Sequence, residues 1–211
     1  MAVLNPIKVI ITNYPKDKVE TIRMSNHPQN PEFGHRDLFF TREIYIEADD
    51  FAENPPPKFH RLTPENDVRL LNAYVIRCDK IIKDEMGHII ELHCTYLPET
   101  VSGNKPADGH KVKGIIHWVS AKTAKEIRIR LYDRLFQAEN PATLENIMDA
   151  INPDSLTEIK AKTEPSLAQA RAGETFQFNR LGYFCVDDVD SQQNQPIFNR
   201  VVGLRDTYQK S

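Results

Sequence analysis

Proline is the residue that most restricts how this chain can fold. Fourteen prolines are spread along the 211 residues instead of being gathered in one linker. A proline inside a helix removes a backbone hydrogen bond and collides with the preceding turn, so long helices are excluded over most of the sequence. The segments between the prolines are short and rich in β-branched and aromatic residues. The sequence therefore predicts a mainly β protein with short elements joined by turns.

Candidate strands share either strict alternation of apolar and polar residues or a short apolar run bounded by turn residues. We expect strands at residues 7–12, 38–48, 68–83, 88–96, 112–119, 126–136, 175–178, 181–186 and 197–204. Helix is predicted only at residues 144–151 and 165–172. Many short strands favour closed or nearly closed β-barrels, and the chain is long enough for two barrels of roughly 100 residues each.

The hairpin at residues 68–96 is the clearest local prediction. Its turn is Asp84-Glu85-Met86-Gly87, whose glycine suits the positive φ that tight hairpin turns require. In residues 126–136, Ile127 and Ile129 share one face, so Arg128 and Arg130 should point away from the core.

Several function classes are excluded by what the sequence lacks. No apolar run reaches the roughly 20 residues that span a bilayer, and residues 1–6 do not resemble a secretion signal, so we expect a soluble, cytoplasmic protein. Cys78, Cys94 and Cys185 are an odd number in a chain that shows no secretion signal, which argues against a disulfide framework. They form no CxxC pair, which argues against a zinc site.

Catalytic cassettes are also missing, because no phosphate-binding loop, GxSxG or HExxH motif occurs. His117 beside Trp118 fits a packed histidine better than a general base. The acidic run Asp187, Asp188 and Asp190 fits a solvated loop. We therefore predict no catalytic, cofactor-binding or metal-binding residue.

Positive charge is concentrated in two segments of a chain whose net charge is −3. Residues 58–83 carry six Lys/Arg against three acids, and residues 105–134 carry eight against three. Cations beside an aromatic ring, as at Lys58-Phe59-His60-Arg61 and around Phe176-Gln177-Phe178, suit single-stranded nucleic acid. Ordinary solvated strand faces would give the same composition, so both interpretations stay open at this point.

Short runs in order along almost the whole chain resemble one protein family. They include Asn26-His27-Pro28, residues 112–120 (VKGIIHWVS) and residues 129–136 (IRLYDRLF). Residues 182–185 (GYFC) and 203–206 (GLRD) follow near the end. These runs are similar to the carboxy-terminal region of glutaminyl-tRNA synthetases, which are class I aminoacyl-tRNA synthetases, and most similar to the bacterial type.

The resemblance implies a fold and a partner. In that family the region forms two small β-barrels of ribosomal protein L25-like topology, one inserted in the other, with a few short helices. We expect a proximal anticodon-binding β-barrel at residues 1–45 and 116–211 and a distal one at residues 46–115. The implied partner is the anticodon stem-loop of glutamine tRNA, bound by a monomer.

The resemblance also implies that catalysis lies elsewhere. In the family, ATP and Mg²⁺ bind to a catalytic domain with His-x-Gly-His and Lys-Met-Ser-Lys-Ser loops, and neither pattern occurs here. The chain therefore resembles part of a glutamine–tRNA ligase, and alone it should hold no cofactor and be inactive.

Four residues of this chain match family positions that contact the anticodon. Arg61 and Arg69 match arginines that contact anticodon bases. Gln177 and Arg180 match a glutamine and an arginine that contact the central uridine. The resemblance therefore implies base recognition through arginine and glutamine side chains.

Three positions depart from the family pattern. His60 stands where a relative has lysine, which weakens a charge contact at neutral pH, although imidazole can still stack or donate. Lys58 replaces a glutamine, and Leu71 replaces the second arginine of a Val-Arg-Leu-Arg-Asn run. We include His60 and Lys58 among the predicted anticodon-binding residues and expect the contact of the arginine replaced by Leu71 to be missing or supplied elsewhere.

Two other functions remain open. The same region occurs in glutamyl-tRNA synthetases of the archaeal and eukaryotic type, and the choice of amino acid is made in the catalytic domain. Barrels with the topology of ribosomal protein L25 can also serve as a scaffold for structured RNA or protein partners.

Overall fold

A computed structural model describes residues 1–204, apart from the side chain of Ser102. Arg205 and Asp206, which belong to the resemblance given above, lie outside the described residues. The strands of the described part are β1 (Ala2–Val3), β2 (Pro6–Ile11), β3 (Glu20–Ser25), β4 (His35–Phe40), β5 (Glu43–Glu47), β6 (Val68–Leu70), β7 (Val75–Lys83), β8 (Ile89–Leu97), β9 (Ile115–Ile116), β10 (Val119–Ser120), β11 (Lys125–Tyr132), β12 (Leu156–Thr163), β13 (Thr175–Phe178), β14 (Gly182–Val186) and β15 (Ile197–Gly203).

The helical segments within residues 1–204 are all short 3₁₀ helices. They are Pro31–Phe33, Ala48–Asp50, Pro98–Gly103, Pro141–Thr143, Ile147–Ala150 and Pro165–Gln169. The prediction of a mainly β protein is confirmed. No helix in this part of the chain is long and apolar enough to cross a membrane.

The chain divides into two compact units. Unit 1 comprises Met1–Lys125 and Lys162–Ser166. Unit 2 comprises Glu126–Ala161 and the described part of residues 167–211. The sheet of unit 1 joins strands from both sides of residue 46, and the predicted boundaries of an inserted barrel at residues 46–115 stay a prediction.

A seven-stranded curled sheet forms most of unit 1, in the order β10-β5-β2-β8-β7-β6-β9, beside a separate β3-β4 hairpin. β2 runs antiparallel to β5 and parallel to β8. One face buries a core around Trp118, whose ring meets the Phe40 ring edge-on at 5.2 Å. The Trp118 Nε1 donates to the carbonyl oxygen of Leu71 at 3.0 Å, which satisfies the buried indole.

Unit 2 has a sheet with the order β12-β11-β15-β14-β13. The end of β12, Lys162 and Thr163, belongs to unit 1 and pairs there with β1. The core of unit 2 includes Phe178 and Phe184, whose rings stack with centroids 4.2 Å apart. Ile127 and Ile129 are buried and Arg128 is exposed, as the alternation predicts.

Five sequence expectations need correction. Residues 38–48 form two strands, because Thr41 and Arg42 separate β4 from β5. Residues 112–119 form only β9 and the start of β10, which His117 and Trp118 separate. Residues 68–83 form two strands, not one, because a turn at residues 71–74 with Asn72 at φ +58° separates β6 from β7; asparagine tolerates this conformation well. The helix expected at 144–151 is only the 3₁₀ turn Ile147–Ala150, since Ile147 and Met148 are exposed and no apolar stripe is buried to stabilise a longer helix. The helix expected at 165–172 shortens to Pro165–Gln169 because only Leu167 is buried.

Candidate nucleic-acid interface

Lys58, His60 and Arg61 line one side of a cavity of about 460 Å³ in unit 1. They lie in the connection between the 3₁₀ helix Ala48–Asp50 and β6. This connection is anchored by Leu62, which is fully buried and exchanges backbone hydrogen bonds with Asp50 and Ala52. The polar residues just before Leu62 therefore face the cavity from a fixed backbone.

Arg61 is held by three groups of unit 1. Its Nε lies 3.2 Å from Oδ1 of Asp50, and its Nη1 donates to the carbonyl oxygen of Asp49 at 2.8 Å. The guanidinium carbon lies 5.7 Å from the centre of the Phe59 ring, within the range of a cation–π contact. Nη2 of Arg61 has no hydrogen-bond partner among residues 1–204. The side chain is thus oriented and keeps donors for a ligand.

Lys58 and His60 are exposed beside Arg61. Lys58 adopts φ +66°, a left-handed conformation that is uncommon for residues other than glycine. The backbone carbonyl of His60 packs so closely on Gly114 that a Cβ at position 114 would overlap it. Contact with Gly114 therefore fixes this segment against the loop before β9.

The lining of this cavity also contains groups that sequence reasoning missed. Nε and Nη2 of Arg77 each lie 2.9 Å from a carboxylate oxygen of Asp67. His110 Nε2 lies 3.2 Å from Asp67 Oδ2, and its Nδ1 lies 2.6 Å from Asp108 Oδ1. The hydrogen bonds from His110 lower the pKa of Asp108. The pairing of Val68 with Ile76 was the missing signal, because it sets Asp67 opposite Arg77.

The cavity is more positive than the chain as a whole. Its lining includes five lysines and arginines and three acidic residues, a net charge of +2 with the histidines neutral. The whole chain has a net charge of −3. A local positive field of this kind attracts an anionic ligand to one surface while the rest of the molecule does not.

Arg69 lies apart from these residues, on β6 and at the edge of a second cavity of about 490 Å³ in unit 1. Its Nη1 donates to the carbonyl oxygen of Thr100 at 2.7 Å, and its Nη2 to that of Asn104 at 2.6 Å. Desolvation by burial lowers the pKa of Arg69. Leu71 lines the same cavity. Arg69 therefore holds the loop after β8 while bordering the second cavity.

Gln177 and Arg180 belong to unit 2, at the hairpin between β13 and β14. Gln177 is exposed on β13, opposite Tyr183. Arg180 occupies the turn at φ +68°. The neighbouring Phe176 and Phe178 pack against Phe198, with ring centroids 5.9 and 5.3 Å away, which fixes the strand that presents Gln177.

Other charged candidates have structural partners. Arg130 pairs with Glu158 at 3.2 Å, Asp187 at 3.3 Å and Asp190 at 2.7 Å. Asp187 was expected in a solvated loop, but it also accepts hydrogen bonds from two backbone amides and from Asn199, which organise the loop. His117 is buried, as expected of a packed histidine, 3.4 Å from Glu47 Oε1.

Residues 1–204 contain no cluster of three or more His, Cys, Asp or Glu side chains that could hold an ion. Cys78 and Cys94 are buried opposite each other on β7 and β8, and both are free thiols.

Comparison with family models identifies the class of protein to which this chain belongs. Two models described as anticodon-binding domains of class I tRNA synthetases (E and Q) match residues 1–97 and 115–187. The chain belongs to this family of anticodon-binding domains.

Comparison with individual relatives specifies the enzyme that the chain resembles. The chain is 53% identical over 209 residues to the glutamine–tRNA ligase of Aliivibrio salmonicida, an alignment that covers 99% of this chain and 38% of the relative. It is 51% identical over 210 residues to the glutamine–tRNA ligase of Vibrio parahaemolyticus, with 100% and 38% covered. The Idiomarina loihiensis enzyme of the same name is 50% identical over 210 residues, with 100% and 37% covered. The chain thus spans less than two fifths of the length of these relatives.

Proposed function

We propose that this chain binds the anticodon stem-loop of glutamine tRNA as the anticodon-binding part of a glutamine–tRNA ligase. The observation that carries the proposal is the first cavity of unit 1, where Lys58, His60 and Arg61 lie together in a lining of net positive charge. All three occupy positions that the family resemblance assigns to anticodon recognition. The names of the relatives favour glutamine over glutamate as the amino acid.

Backbone conformation supports a role for two of these residues. Within residues 1–204, the non-glycine residues with positive φ are Lys58, Asn72, Arg180 and Asn194. Asparagine adopts this conformation readily, whereas lysine and arginine do so at an energetic cost of about 1–2 kcal/mol. Strain of this kind is often found where a side chain is needed in one place. Lys58 and Arg180 are both predicted anticodon contacts.

The proposed mechanism separates the anticodon bases from one another. Each unstacked base enters a pocket, where arginine and glutamine side chains donate to its edges and phosphate contacts fix the register. Arg61, held by Asp50 and Asp49, offers Nη2 to the first cavity. Because unstacking a base is unfavourable, hydrogen bonds and stacking in each pocket must contribute about 1–3 kcal/mol of favourable free energy to offset it.

The second cavity and unit 2 would supply the remaining contacts. Arg69 borders the second cavity, and Leu71 gives that cavity an apolar surface where the family pattern has an arginine. Gln177 and Arg180 would contact the central base from the β13–β14 hairpin of unit 2. In this proposal Leu71 packs against a base, in place of the arginine hydrogen bonds that the family pattern implies at this position.

We place the binding of ATP and Mg²⁺, and the ligase chemistry, in the part of the relatives that this chain does not match. The module would act as a cytoplasmic monomer, with residues 46–115 as a distal barrel and the remainder as a proximal one. It needs no cofactor for binding RNA.

Substitution of Arg61 tests the proposal directly. Arg61→Ala should weaken binding of the cognate anticodon stem-loop about tenfold to hundredfold, since a base contact contributes about 1–3 kcal/mol. For a loop with one mismatched anticodon base, the same substitution should reduce the affinity less. Arg61→Lys, which keeps a charge near Asp50 but lacks the planar fork, should lose discrimination with a smaller loss of affinity.

The matched control is Arg128→Ala, which removes an exposed arginine of unit 2 that pairs with Glu158. It should bind both loops as the unsubstituted chain does. Fluorescence titration measures all affinities, and circular dichroism checks the fold of each variant. An equal loss for cognate and mismatched loops would contradict base recognition by Arg61.

A further inference from the structure

Arg77 lines the first cavity of unit 1, and part of its guanidinium is not engaged by the described residues. Nε and Nη2 are engaged by Asp67, each at 2.9 Å. Nη1 has no hydrogen-bond partner among residues 1–204, and the Arg77 side chain is 51% exposed. Since a planar guanidinium carries donors on two edges, the edge that faces away from Asp67 can bind a second pair of acceptors.

Asp67 is suited to position Arg77. Its side chain is only 6% exposed, both carboxylate oxygens accept from Arg77, and His110 Nε2 lies 3.2 Å from Oδ2. His110 is in turn fixed by Asp108 on the loop that precedes β9. Bidentate pairing with a buried carboxylate sets the plane and direction of an arginine, which removes part of the entropy loss on binding a ligand.

The register of the strands makes this arrangement part of the sheet. Val68 pairs with Ile76 on the antiparallel strands β6 and β7. Asp67 and Arg77 therefore follow as the next opposed positions at the open end of that pair. Arg77 reaches the cavity from a strand, whereas Lys58, His60 and Arg61 reach it from a connection.

We propose that Arg77 is a further RNA-binding residue of the first cavity and that Asp67 positions it, a proposal that rests on the proposed anticodon-binding function. The ligand chemistry is a pair of adjacent oxygen or nitrogen acceptors. A backbone phosphate and the O6/N7 edge of a guanine both provide it.

The test measures the affinity of the unsubstituted 211-residue chain and its variants for the glutamine anticodon stem-loop. Arg77→Gln should weaken binding about tenfold. The affinity of Arg77→Lys should lie between those of the unsubstituted chain and Arg77→Gln, because lysine keeps the positive charge but lacks the planar pair of donors. The control is Lys83→Gln, which removes another ion-paired cation of β7 that does not line the cavity. It should bind as the unsubstituted chain does.

Asp67→Asn distinguishes a role of Asp67 in positioning Arg77 from an effect of the Asp67 charge alone. The substitution removes a negative charge from the cavity, so an effect of net charge alone would strengthen RNA binding. If Asp67 positions Arg77, binding instead becomes about threefold to tenfold weaker. The double variant Asp67→Asn/Arg77→Gln should then bind no more weakly than Arg77→Gln, because the two residues act as a unit.

Two arms identify the acceptor. If Arg77 binds a phosphate, Arg77→Gln should flatten the dependence of log K on log salt by about 0.7. If Arg77 binds a guanine edge, the salt dependence should stay unchanged and 7-deazaguanine in the anticodon should reproduce the loss. Either result supports the proposal.

The proposal is overturned if Arg77→Gln binds within about twofold of the unsubstituted chain while Arg61→Ala binds more weakly, or if Asp67→Asn tightens binding. In both cases the anticodon-binding function stands. If the unsubstituted, folded chain does not bind the stem-loop, that function fails and the role of Arg77 fails with it.

Discussion

Individual arginines of unit 1 owe their orientation to carboxylates that are almost fully buried. The Asp50 side chain is 2% exposed beside Arg61, and the Asp67 side chain is 6% exposed beside Arg77. An unpaired buried carboxylate is unfavourable, so each acid holds its arginine in place. Both arginines keep donors on the side away from the acid. The same pair that stabilises the fold thus prepares a donor for a ligand.

Arg130 of unit 2 has a different role, because acidic residues surround it. Its hydrogen bonds, first with Asp190 and then with Glu158, raise the pKa of Arg130. Hydrogen bonds from the Asp190 backbone and the Asn199 side chain lower the pKa of Asp187, and the hydrogen bond from Arg130 lowers that of Glu158. Arg130 therefore serves the structure of unit 2, although the sequence pattern alone would also suit a nucleic-acid contact.

The lowered pKa values predict how unit 2 responds to acid. Carboxylates with a lowered folded-state pKa stabilise the fold above their unfolded pKa of about 4, and this stabilisation is lost as pH falls through the folded-state pKa. The thermal midpoint of the chain should therefore fall as pH drops below about 4. Arg130→Gln should lower the midpoint at neutral pH and make the acid-induced fall smaller.

Circular dichroism melting between neutral and acidic pH measures both effects. Arg128→Gln is the matched control, since Arg128 pairs with Glu158 and is more exposed than Arg130. Its pH profile should stay close to that of the unsubstituted chain. Parallel profiles for Arg130→Gln and the unsubstituted chain would contradict the role given to Arg130.

Among the elements, the loop before β9 determines the shape of the first cavity. The Gly114 carbonyl accepts from the backbone amide of Arg69 at 3.0 Å, which ties the loop to β6. On its other side Gly114 touches the His60 carbonyl without room for a Cβ. The loop and the connection at residues 58–61 are therefore packed backbone to backbone, a contact that only glycine permits.

Gly114→Ala should destabilise the chain by about 2–3 kcal/mol, because the added methyl group must displace backbone atoms. It should also weaken RNA binding, since His60 and its neighbours would move. The control is Gly109→Ala in the same loop, where φ is +74° but no atom lies within 4 Å of the new Cβ. That variant should cost only about 1 kcal/mol.

Urea unfolding and stem-loop titration of both variants check this prediction. A Gly114→Ala variant as stable as Gly109→Ala, with unchanged RNA affinity, would show that the backbone contact does not shape the cavity.

Strands were easier to predict than the turns and pairings that join them. Residues 175–178 and 126–136 alternate clearly because one face packs on a core, and both gave strands, the second as β11. β3 and β12 were missed, since most of their side chains are exposed or half-buried and leave little hydrophobic pattern. The turn at Asn72 was hidden because apolar residues flank Asn72 on both sides, Leu70 and Leu71 before it and Ala73 and Tyr74 after it. The periodicity of apolar residues indicates which side chains are buried. It does not indicate where a segment bends while its side chains stay in the core.

Across the whole chain, weak net charge and strong local charge occur together. A net charge of −3 gives no general attraction to nucleic acid, whereas the first cavity has a lining of net charge +2. Binding would therefore depend on a few phosphates near that cavity. This favours a defined partner over indiscriminate association with polyanions.

The lining of the first cavity could be predicted only in part from the sequence. Lys58, His60 and Arg61 could be predicted from cations beside an aromatic residue and from family resemblance. Asp67, Arg77 and His110 could not be added to them, because β-strand register and loop closure bring them to the cavity from positions that are not adjacent in sequence. A single sequence gives the chemistry of each residue but not which residues meet.

Titration of the unsubstituted chain with the glutamine anticodon stem-loop tests whether the chain binds this loop selectively and through local positive charge. If about four phosphates are neutralised, log K should fall with log salt at a slope near −3 between about 50 and about 300 mM salt, at roughly 0.7 per phosphate. A loop with a different anticodon should bind about tenfold more weakly or worse throughout this range. Affinity that does not change with salt, or that is equal for the two loops, would contradict the account.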